Sequence, residues 1–314
     1  MNIGIDMMGG DFAPSEAVKG LKTYLSTSNS PATLICIGEK KHINKLLAEQ
    51  NLNSSKIVVV HASDVIEMHE HPTKALKEKQ QSSIAIGFQL LATGKTDAFI
   101  SAGNTGAMLV GAMYSIKPIP GVLRPAISTI IPKVNGGIGI LLDVGLNADC
   151  KPEHLNQFAV LGSLYACNIF SIQYPRVGLL NVGEEEGKGN ILAQSTYSLL
   201  KQNNTINFVG NIEGRDLFMD KADVVVCEGF TGNVILKMAE SFYDIALARN
   251  IHDDYLNRFH YENYGGTPVL GVAKPVIVGH GISKANAFLN MILLAEKIIS
   301  SNLVEAMVER FSVE

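Results

Sequence analysis

Five turns rich in glycine, asparagine and serine follow short apolar runs along this chain. Each turn precedes a helical pattern, which predicts that it joins the end of a strand to the start of a helix. Glycine lets backbone N–H groups approach a ligand closely, Ser, Thr and Asn add hydrogen-bonding groups, and a helix N-terminus favours an anion. This combination is suited to binding phosphate. The five turns are residues 101–106, 143–150, 181–190, 227–233 and 279–284.

One such turn is weak evidence, because a helix cap and a tight turn also explain a single Ser-Ala-Gly-Asn-Thr-Gly. Five turns are harder to explain as caps. Ligands bind beyond the carboxyl ends of parallel strands, so we predict that the five turns converge on one phosphate or phosphorylated ligand. No turn has the Walker pattern, and the opening turn at residues 9–14 lacks the dinucleotide pattern.

Charged side chains near these turns are candidates for contact with phosphate or with a developing oxyanion. Lys188 lies between two glycines, on a loop whose three glutamates could instead pair with it in solvent. Arg124 and Arg215 are candidate anion clamps, although an exposed ion pair would explain either one. Asp6 and Asp11 lie at the opening turn near residues 9–14, where they either cap the turn or orient amides and cations of the site.

A largely parallel sheet is needed to position these turns. Apolar runs alternate with helical periodicity from end to end, which predicts an α/β fold with helices on both faces of the sheet. We expect one domain, 1–314, with a short polar surface excursion at 250–264. The expected strands are 2–6, 33–38, 57–61, 98–101, 126–131, 138–144, 176–182, 207–211, 222–227 and 275–279. The expected helices are 14–26, 43–49, 83–93, 105–115, 152–166, 191–201, 233–248 and 284–304.

The composition argues against several classes of protein. Hydrophobic residues make up 46% and charged residues 18% of the chain, which allows a sizeable core and excludes global disorder. A net charge of −4, no tryptophan and no long basic run argue against a nucleic-acid partner. The N-terminus reaches Asp6 too early for a signal peptide, and no stretch has the length of a membrane span. We therefore expect a cytoplasmic protein with reduced cysteines.

At these turns the sequence resembles the bacterial phosphate acyltransferases of phospholipid synthesis, which make acyl phosphate from acyl–acyl carrier protein (acyl-ACP) and inorganic phosphate. The resemblance implies a reversible acyl transfer and a Rossmann-like α/β/α homodimer, related in fold to phosphotransacetylases and isocitrate-type dehydrogenases. It implies no metal and no cofactor. It runs from Ile3 to about Val304 and rests on residues 6–11, 101–106, 124–126, 143–154, 183–190, 229–233 and 264–268.

The resemblance also implies partners and a location. The partners are acyl-ACP, inorganic phosphate, a second copy of the chain and a downstream glycerol-3-phosphate acyltransferase. The location is the cytoplasm, peripheral to the inner face of the membrane, through an apolar excursion before the Tyr-Gly-Gly motif at 264–266. In this chain the corresponding segment, 252–263, is short and polar.

The hypothesis for the chemistry is direct attack of bound phosphate on the thioester carbonyl, which requires alignment and oxyanion stabilisation but no enzyme nucleophile. Lys188 and Asn233 are expected at the reacting centre. The expected phosphate ligands are Ser101, Asn104, Thr105 and Gly106. The other candidates for the substrate site are Asp6, Asp11, Arg124, Asp143, Asn147, Glu184, Arg215, Glu228, Thr231 and His280.

Three alternatives remain open on the sequence. A phosphotransacetylase-like enzyme would use acyl-CoA in place of acyl-ACP. An oxidoreductase of the related fold is opposed by the missing nucleotide signatures. A non-catalytic protein that binds phosphate or lipid would bind the ligand without forming product.

Overall fold

A computed structural model describes residues 1–312 of the chain. Within this range the chain forms eleven strands. They are β1 (Asn2–Asp6), β2 (Thr33–Gly38), β3 (Ile57–His61), β4 (Ala98–Ser101), β5 (Ala126–Pro132), β6 (Ile138–Leu142), β7 (Arg176–Asn181), β8 (Asn207–Glu213), β9 (Val224–Val226), β10 (Thr267–Leu270) and β11 (Val276–Val278).

Eleven α-helices join these strands in the described range. They are α1 (Ser15–Thr27), α2 (Lys40–Glu49), α3 (Pro72–Glu78), α4 (Ser83–Ala92), α5 (Thr105–Gly111), α6 (Pro152–Phe170), α7 (Ile191–Gln202), α8 (Gly229–Ala248), α9 (Asp254–Asn257), α10 (Ala285–Ser300) and α11 (Leu303–Phe311). A π-helical turn, Ala112–Ile116, continues α5, and short 3-10 turns occupy Gly214–Asp216 and Tyr261–Asn263.

The described chain divides into two compact units. Unit 1 consists of residues 1–118 and 261–300, and unit 2 consists of residues 119–260 and the segment that begins at Ser301. The description of 1–314 as a single domain stays a prediction.

The strands of unit 1 follow the order β3-β2-β1-β4-β11-β10. β10 runs antiparallel to β11, and the other neighbours are parallel. Every residue of β4 is buried, which is the pattern of a parallel strand covered on both faces. Ile5 pairs with Ile100, and Val278 pairs with Ser101. The strands β1, β4 and β11 therefore end side by side.

The strands of unit 2 follow the order β5-β6-β9-β7-β8. Here β5 runs antiparallel to β6, and the remaining neighbours are parallel. Val226 of β9 pairs with Leu142 of β6 on one side and with Leu179 of β7 on the other. The carboxyl ends of β6, β9 and β7 are therefore neighbours, and the turns that follow them belong to one edge of this sheet.

The predicted fold class, α/β with a largely parallel sheet, is confirmed in both units. All ten predicted strands are present, within three residues at each end. Three elements were missed: β10, which contains Pro268, and the short helices α3 and α9. The start of α8 lies four residues before the predicted position, so that Thr231 and Asn233 are among its first five residues.

Two further expectations need correction or refinement. The predicted helix 284–304 is wrong in extent: α10 stops at Ser300, and α11 starts after Asn302, which has a left-handed φ of 53°. The excursion at 250–264 is only partly exposed, and Phe259 anchors it in unit 2, where its ring lies 5.3 Å from that of Phe242. None of the described helices is long and apolar enough to cross a membrane alone; α10 and α11 pass that test of length and composition only as a broken pair.

Candidate functional site

The turn after β1 in unit 1 is built around the buried carboxylate of Asp6. Ser101 Oγ donates a hydrogen bond to Asp6 Oδ2 at 2.6 Å, and the Met8 amide donates to Asp6 Oδ1 at 3.0 Å. The hydroxyl of Ser101 also accepts a hydrogen bond from the Gly103 amide at 2.9 Å. Burial raises the pKa of the Asp6 carboxyl, and its hydrogen bonds, that of Ser101 first, oppose the rise. Asp6 and Ser101 therefore hold each other and shape the turn.

Close backbone approach joins the three turns of unit 1. A Cβ on Gly9 would lie 2.4 Å from Asp6 Oδ2 and 2.5 Å from the Gly103 nitrogen, so this contact requires glycine. The Asp11 amide donates to the Gly281 carbonyl at 2.7 Å, and the Gly279 amide donates to the Ser101 carbonyl at 2.8 Å. The turns after β1, β4 and β11 therefore form one bonded cluster.

Asn104 caps α5 and is occupied by internal hydrogen bonds. Its Oδ1 accepts from the Ala107 amide at 2.9 Å, and its Nδ2 lies 2.9 to 3.3 Å from three backbone carbonyls in residues 67–70. The first amides of a helix have no partner inside the helix, and this cap satisfies only the third. The cap therefore leaves the amides of Thr105 and Gly106 without a partner among the residues that the structure describes, whereas the side chains of Ser101 and Asn104 position the turn.

The turn after β6 in unit 2 is built around a second buried carboxylate, Asp143. Its Oδ1 accepts from the amides of Ile127 and Leu146 at 2.9 and 3.3 Å. Its Oδ2 accepts from the Asn147 amide at 2.6 Å and from Asn147 Nδ2 at 2.9 Å. Asn147 Nδ2 also donates to the Pro125 carbonyl at 2.8 Å. Burial raises the pKa of the Asp143 carboxyl, and we therefore assign Asp143 and Asn147 to holding the turn.

The start of α8 packs directly against the Asp143 turn. Glu228 caps the helix: its Oε2 accepts from the Thr231 amide at 2.8 Å, and its Oε1 accepts from the Thr231 hydroxyl. A Cβ on Gly232 would lie 1.8 Å from the Asp143 carbonyl oxygen, so the helix can start here only with glycine. Asn233 Nδ2 donates to the Val144 carbonyl at 3.1 Å, and its Oδ1 has no donor among the described residues. The side chain of Asn233 is exposed and is thus fixed at one end and open at the other.

The loop between β7 and α7 leaves Lys188 exposed. Two of its three glutamates pair with other lysines: Glu184 with Lys221 at 2.7 Å, and Glu186 with Lys201 at 2.8 Å. No carboxylate lies within ion-pair distance of Lys188 Nζ in residues 1–312. The loop therefore presents a cation that its own acidic residues do not neutralise.

A side chain that the sequence analysis missed holds this loop. Asn181, at the end of β7, donates from Nδ2 to the Lys188 carbonyl at 3.1 Å, and its Oδ1 accepts from the Val182 amide at 2.8 Å. A Cβ on Gly189 would lie 2.3 Å from Asn181 Oδ1. An asparagine at the end of an apolar strand was the available signal, since its side chain commonly bonds nearby backbone.

The remaining candidates lie apart from these clusters or already have partners. Arg215 pairs with Glu213 and is 77% exposed, which matches the surface-pair alternative. Arg124 donates to the Asp149 carbonyl at 3.0 Å. The His280 ring is half-buried beside the Tyr261 ring, with centroids 4.8 Å apart. Asp11 is exposed, and its amide bonds to the Gly281 carbonyl described above.

Glu184 also belongs to a cluster with Glu213 and Asp216, whose carboxylate oxygens lie within 4.8 Å of one another. Lys221 contacts both Glu184 at 2.7 Å and Asp216 at 3.0 Å, and Arg215 contacts Glu213. These cations neutralise much of the negative charge. The cluster is therefore a partly buried ion-pair network, and it carries no argument for a metal ion.

Comparisons with known proteins match almost the full length of the chain. A family model described as "Fatty acid synthesis protein" matches residues 1–306. A protein of Dictyoglomus turgidum named phosphate acyltransferase is 45% identical over 318 residues, which cover 95% of this chain and 94% of the relative. A phosphate acyltransferase of Dictyoglomus thermophilum is 43% identical and covers 99% of this chain and 98% of the relative.

Solved structures with the same fold are more distant in sequence. A phosphotransacetylase from Streptococcus pyogenes aligns with a TM-score of 0.66 at 16% identity, covering 97% of this chain and 94% of that one. A 4-hydroxythreonine-4-phosphate dehydrogenase from Klebsiella pneumoniae aligns with a TM-score of 0.55 at 13% identity, covering 95% and 98%. The expected relation in fold to phosphotransacetylases and to a dehydrogenase is therefore confirmed.

Proposed function

The chain belongs to the protein family described as fatty acid synthesis protein, and we propose that it transfers a fatty acyl group from acyl-ACP to inorganic phosphate. The product would be acyl phosphate for phospholipid synthesis. The observation that carries the proposal is 45% identity with a phosphate acyltransferase over 95% of the chain. As a member of this group the protein is an acyltransferase.

The reaction needs alignment and charge stabilisation more than it needs an enzyme nucleophile. A phosphate oxygen forms a bond to the thioester carbonyl carbon, the carbon–sulfur bond breaks, and the carrier thiolate takes up a proton. Phosphate and the developing oxyanion are both negative, so backbone amides and a cation must offset their repulsion. The amides of Thr105 and Gly106 suit phosphate binding.

Lys188 and Asn233 are proposed to act at the reacting centre. Lys188 lacks an ion-pair partner within residues 1–312, so no internal contact must break before it binds an anion. Asn233 Nδ2 is bonded to the Val144 carbonyl at 3.1 Å, and this contact fixes the direction of its carboxamide. The two residues would contact phosphate or the oxyanion, Lys188 through its charge and Asn233 through the second hydrogen of Nδ2, which the bond to Val144 does not use.

The partners and location are part of the same proposal. We propose acyl-ACP as donor, a homodimer, and a cytoplasmic position peripheral to the inner face of the membrane, beside a downstream glycerol-3-phosphate acyltransferase. The carrier protein is acidic, so a local group of Lys and Arg should receive it despite the net charge of −4.

The proposal is tested by incubating the purified chain with acyl-ACP, with and without phosphate, and trapping acyl phosphate with hydroxylamine. We expect acyl hydroxamate only when phosphate is present. A parallel reaction with acyl-CoA separates the two donors, since a phosphotransacetylase-like enzyme would prefer the coenzyme A thioester. Absence of product from both donors would refute the assignment as a phosphate acyltransferase.

A further inference from the structure

A cavity of about 480 Å³ lies in unit 2, at the carboxyl ends of β7 and β9. Its volume is within the range of small-ligand pockets, roughly 300–1,000 Å³. Leu155 of α6, Leu179 of β7, Leu192 of α7 and Ile235 of α8 line it. Val182 also lines it and is 79% exposed, so the cavity opens to solvent.

The polar groups in the lining are largely occupied by internal hydrogen bonds. Asn181 is bonded through both ends of its carboxamide to Lys188 and Val182. Both oxygens of Glu228 accept hydrogen bonds from Thr231. A polar ligand buried here would lose hydrogen bonds to water and gain few in return. The cavity therefore favours an apolar occupant.

The cavity adjoins the residues that we place at the reacting centre. Gly189 and Asn190 line it, and they directly follow Lys188 in the loop. Thr231 also lines it, and it lies two residues before Asn233 near the start of α8. A chain seated in the cavity would therefore have its polar end near both Lys188 and Asn233.

We propose that this cavity binds the acyl chain of the donor and sets the chain-length preference of the reaction. The inference rests on the proposed function, because the occupant is the fatty acyl group that is transferred. The thioester carbonyl would lie at the mouth, toward Lys188, and the methyl end would lie among Leu155, Leu179 and Ile235. The chain is bound by removal of its apolar surface from water.

Two variants reduce the cavity from different walls, Ala193→Leu on α7 and Ile235→Phe on α8. Turnover is measured with octanoyl-ACP and palmitoyl-ACP at saturating phosphate. We expect kcat/KM for palmitoyl-ACP to fall at least about tenfold relative to octanoyl-ACP in each variant, since single methylenes in a fitted pocket change discrimination by that order. Octanoyl turnover in the same preparation reports that the variant is folded.

The matched control is Ala306→Leu, which fills a separate cavity of unit 2 between α6 and α11. This variant should have the same ratio of kcat/KM for palmitoyl-ACP to kcat/KM for octanoyl-ACP as the wild-type protein. An unchanged ratio of kcat/KM for palmitoyl-ACP to that for octanoyl-ACP in both test variants would overturn the assignment. An equal loss of kcat/KM with octanoyl-ACP and palmitoyl-ACP would also overturn it, and would instead place the carrier's pantetheine arm in the cavity. Inactivity of the wild-type protein with both donors would refute the proposed function itself, a result distinct from an unchanged ratio.

Discussion

The turn 101–106 in unit 1 and the loop 181–190 in unit 2 connect a strand to a helix in similar ways but differ in their exposure to solvent. Each follows a parallel strand, and each contains an asparagine that caps a helix. Asn104 Oδ1 accepts from the Ala107 amide at 2.9 Å, and Asn190 Oδ1 accepts from the Ala193 amide at 2.8 Å. The turn is buried and internally bonded as far as Asn104, whereas most of the loop is exposed.

The difference in exposure indicates that the turn mainly stabilises the fold, whereas the loop mainly presents a side chain for chemistry. In the turn, side chains hold backbone amides in place, and their loss should cost stability before it costs chemistry. In the loop, Glu184 and Glu186 pair with lysines outside it, and Lys188 is left without an ion pair in the described chain. Loss of Lys188 should cost chemistry with little effect on stability. Four measurements test this contrast.

The largest expected effect is on turnover, in the variant Lys188→Ala. Removal of one stabilising group from an oxyanion costs about 10²–10³-fold in kcat. Thermal stability should be unchanged, since Lys188 has no ion pair within the described chain. The control is Lys45→Ala on α2, which removes an exposed pair with Glu49 at 3.9 Å and should leave turnover within a factor of about two. Normal turnover of the Lys188 variant would exclude it from the reacting centre.

The two caps give the next largest effect, on the free energy of unfolding. Asn104→Ala loses a cap and also leaves three carbonyls of residues 67–70 without their donor, which should cost about 2–3 kcal/mol. Asn190→Ala loses an exposed cap alone, and the expected cost is about 1 kcal/mol. Urea titration of both variants measures the difference. Equal costs would mean that the buried turn gains nothing from the additional hydrogen bonds.

Two glycines provide a smaller effect of the same kind. Gly9→Ala brings a Cβ to 2.4 Å from Asp6 Oδ2 and should lower the free energy of unfolding by about 1–3 kcal/mol. Gly187→Ala, in the loop, meets nothing within 4 Å, and a change within about 0.5 kcal/mol is expected. Urea unfolding of the two variants side by side provides the comparison. A Gly9 variant as stable as the wild-type chain would show that the turn can relax.

The sequence predicts the strands and helices of this molecule better than the contacts that its side chains make. All the parallel strands were predictable because each is a short apolar run followed by turn residues. β10 was missed since Pro268 is unusual within a strand. The break at Asn302 was missed because the apolar pattern of α10 continues into α11.

For the candidate site, residue types identified the turns but could not divide structural from ligand-binding roles. Ser101 and Asn104 have the composition of phosphate ligands, yet their hydrogen bonds go to Asp6 and to the backbone of residues 67–70. That outcome depends on which segments pack together, and the spacing along the chain contains no information about it. The pairing of Glu184 and Glu186 with distant lysines was hidden for the same reason.

The smallest expected effect is the pH dependence of stability that comes from Asp6, the buried carboxylate bonded to Ser101 of the turn. Because burial raises the pKa of Asp6 above its unfolded value of 3.8, the folded chain binds the proton more tightly than the unfolded chain does. The stabilisation is therefore fully present below pH 3.8 and is lost as pH rises through the folded pKa. The stability of the wild-type chain relative to Asp6→Asn should decline as pH increases from about 4 toward 7.

Glu70 provides a control of opposite sign. Its hydrogen bond with Lys79, 2.7 Å between Oε2 and Nζ, is the main cause that lowers the pKa of Glu70 below 4.5. Its contribution is present above pH 4.5 and is lost as pH falls, so the stability relative to Glu70→Gln should grow with pH. Urea unfolding at a series of pH values measures both slopes. Slopes of the same sign would mean that hydrogen bonds to the Asp6 carboxylate outweigh its burial, and the turn would then be stabilised by charge.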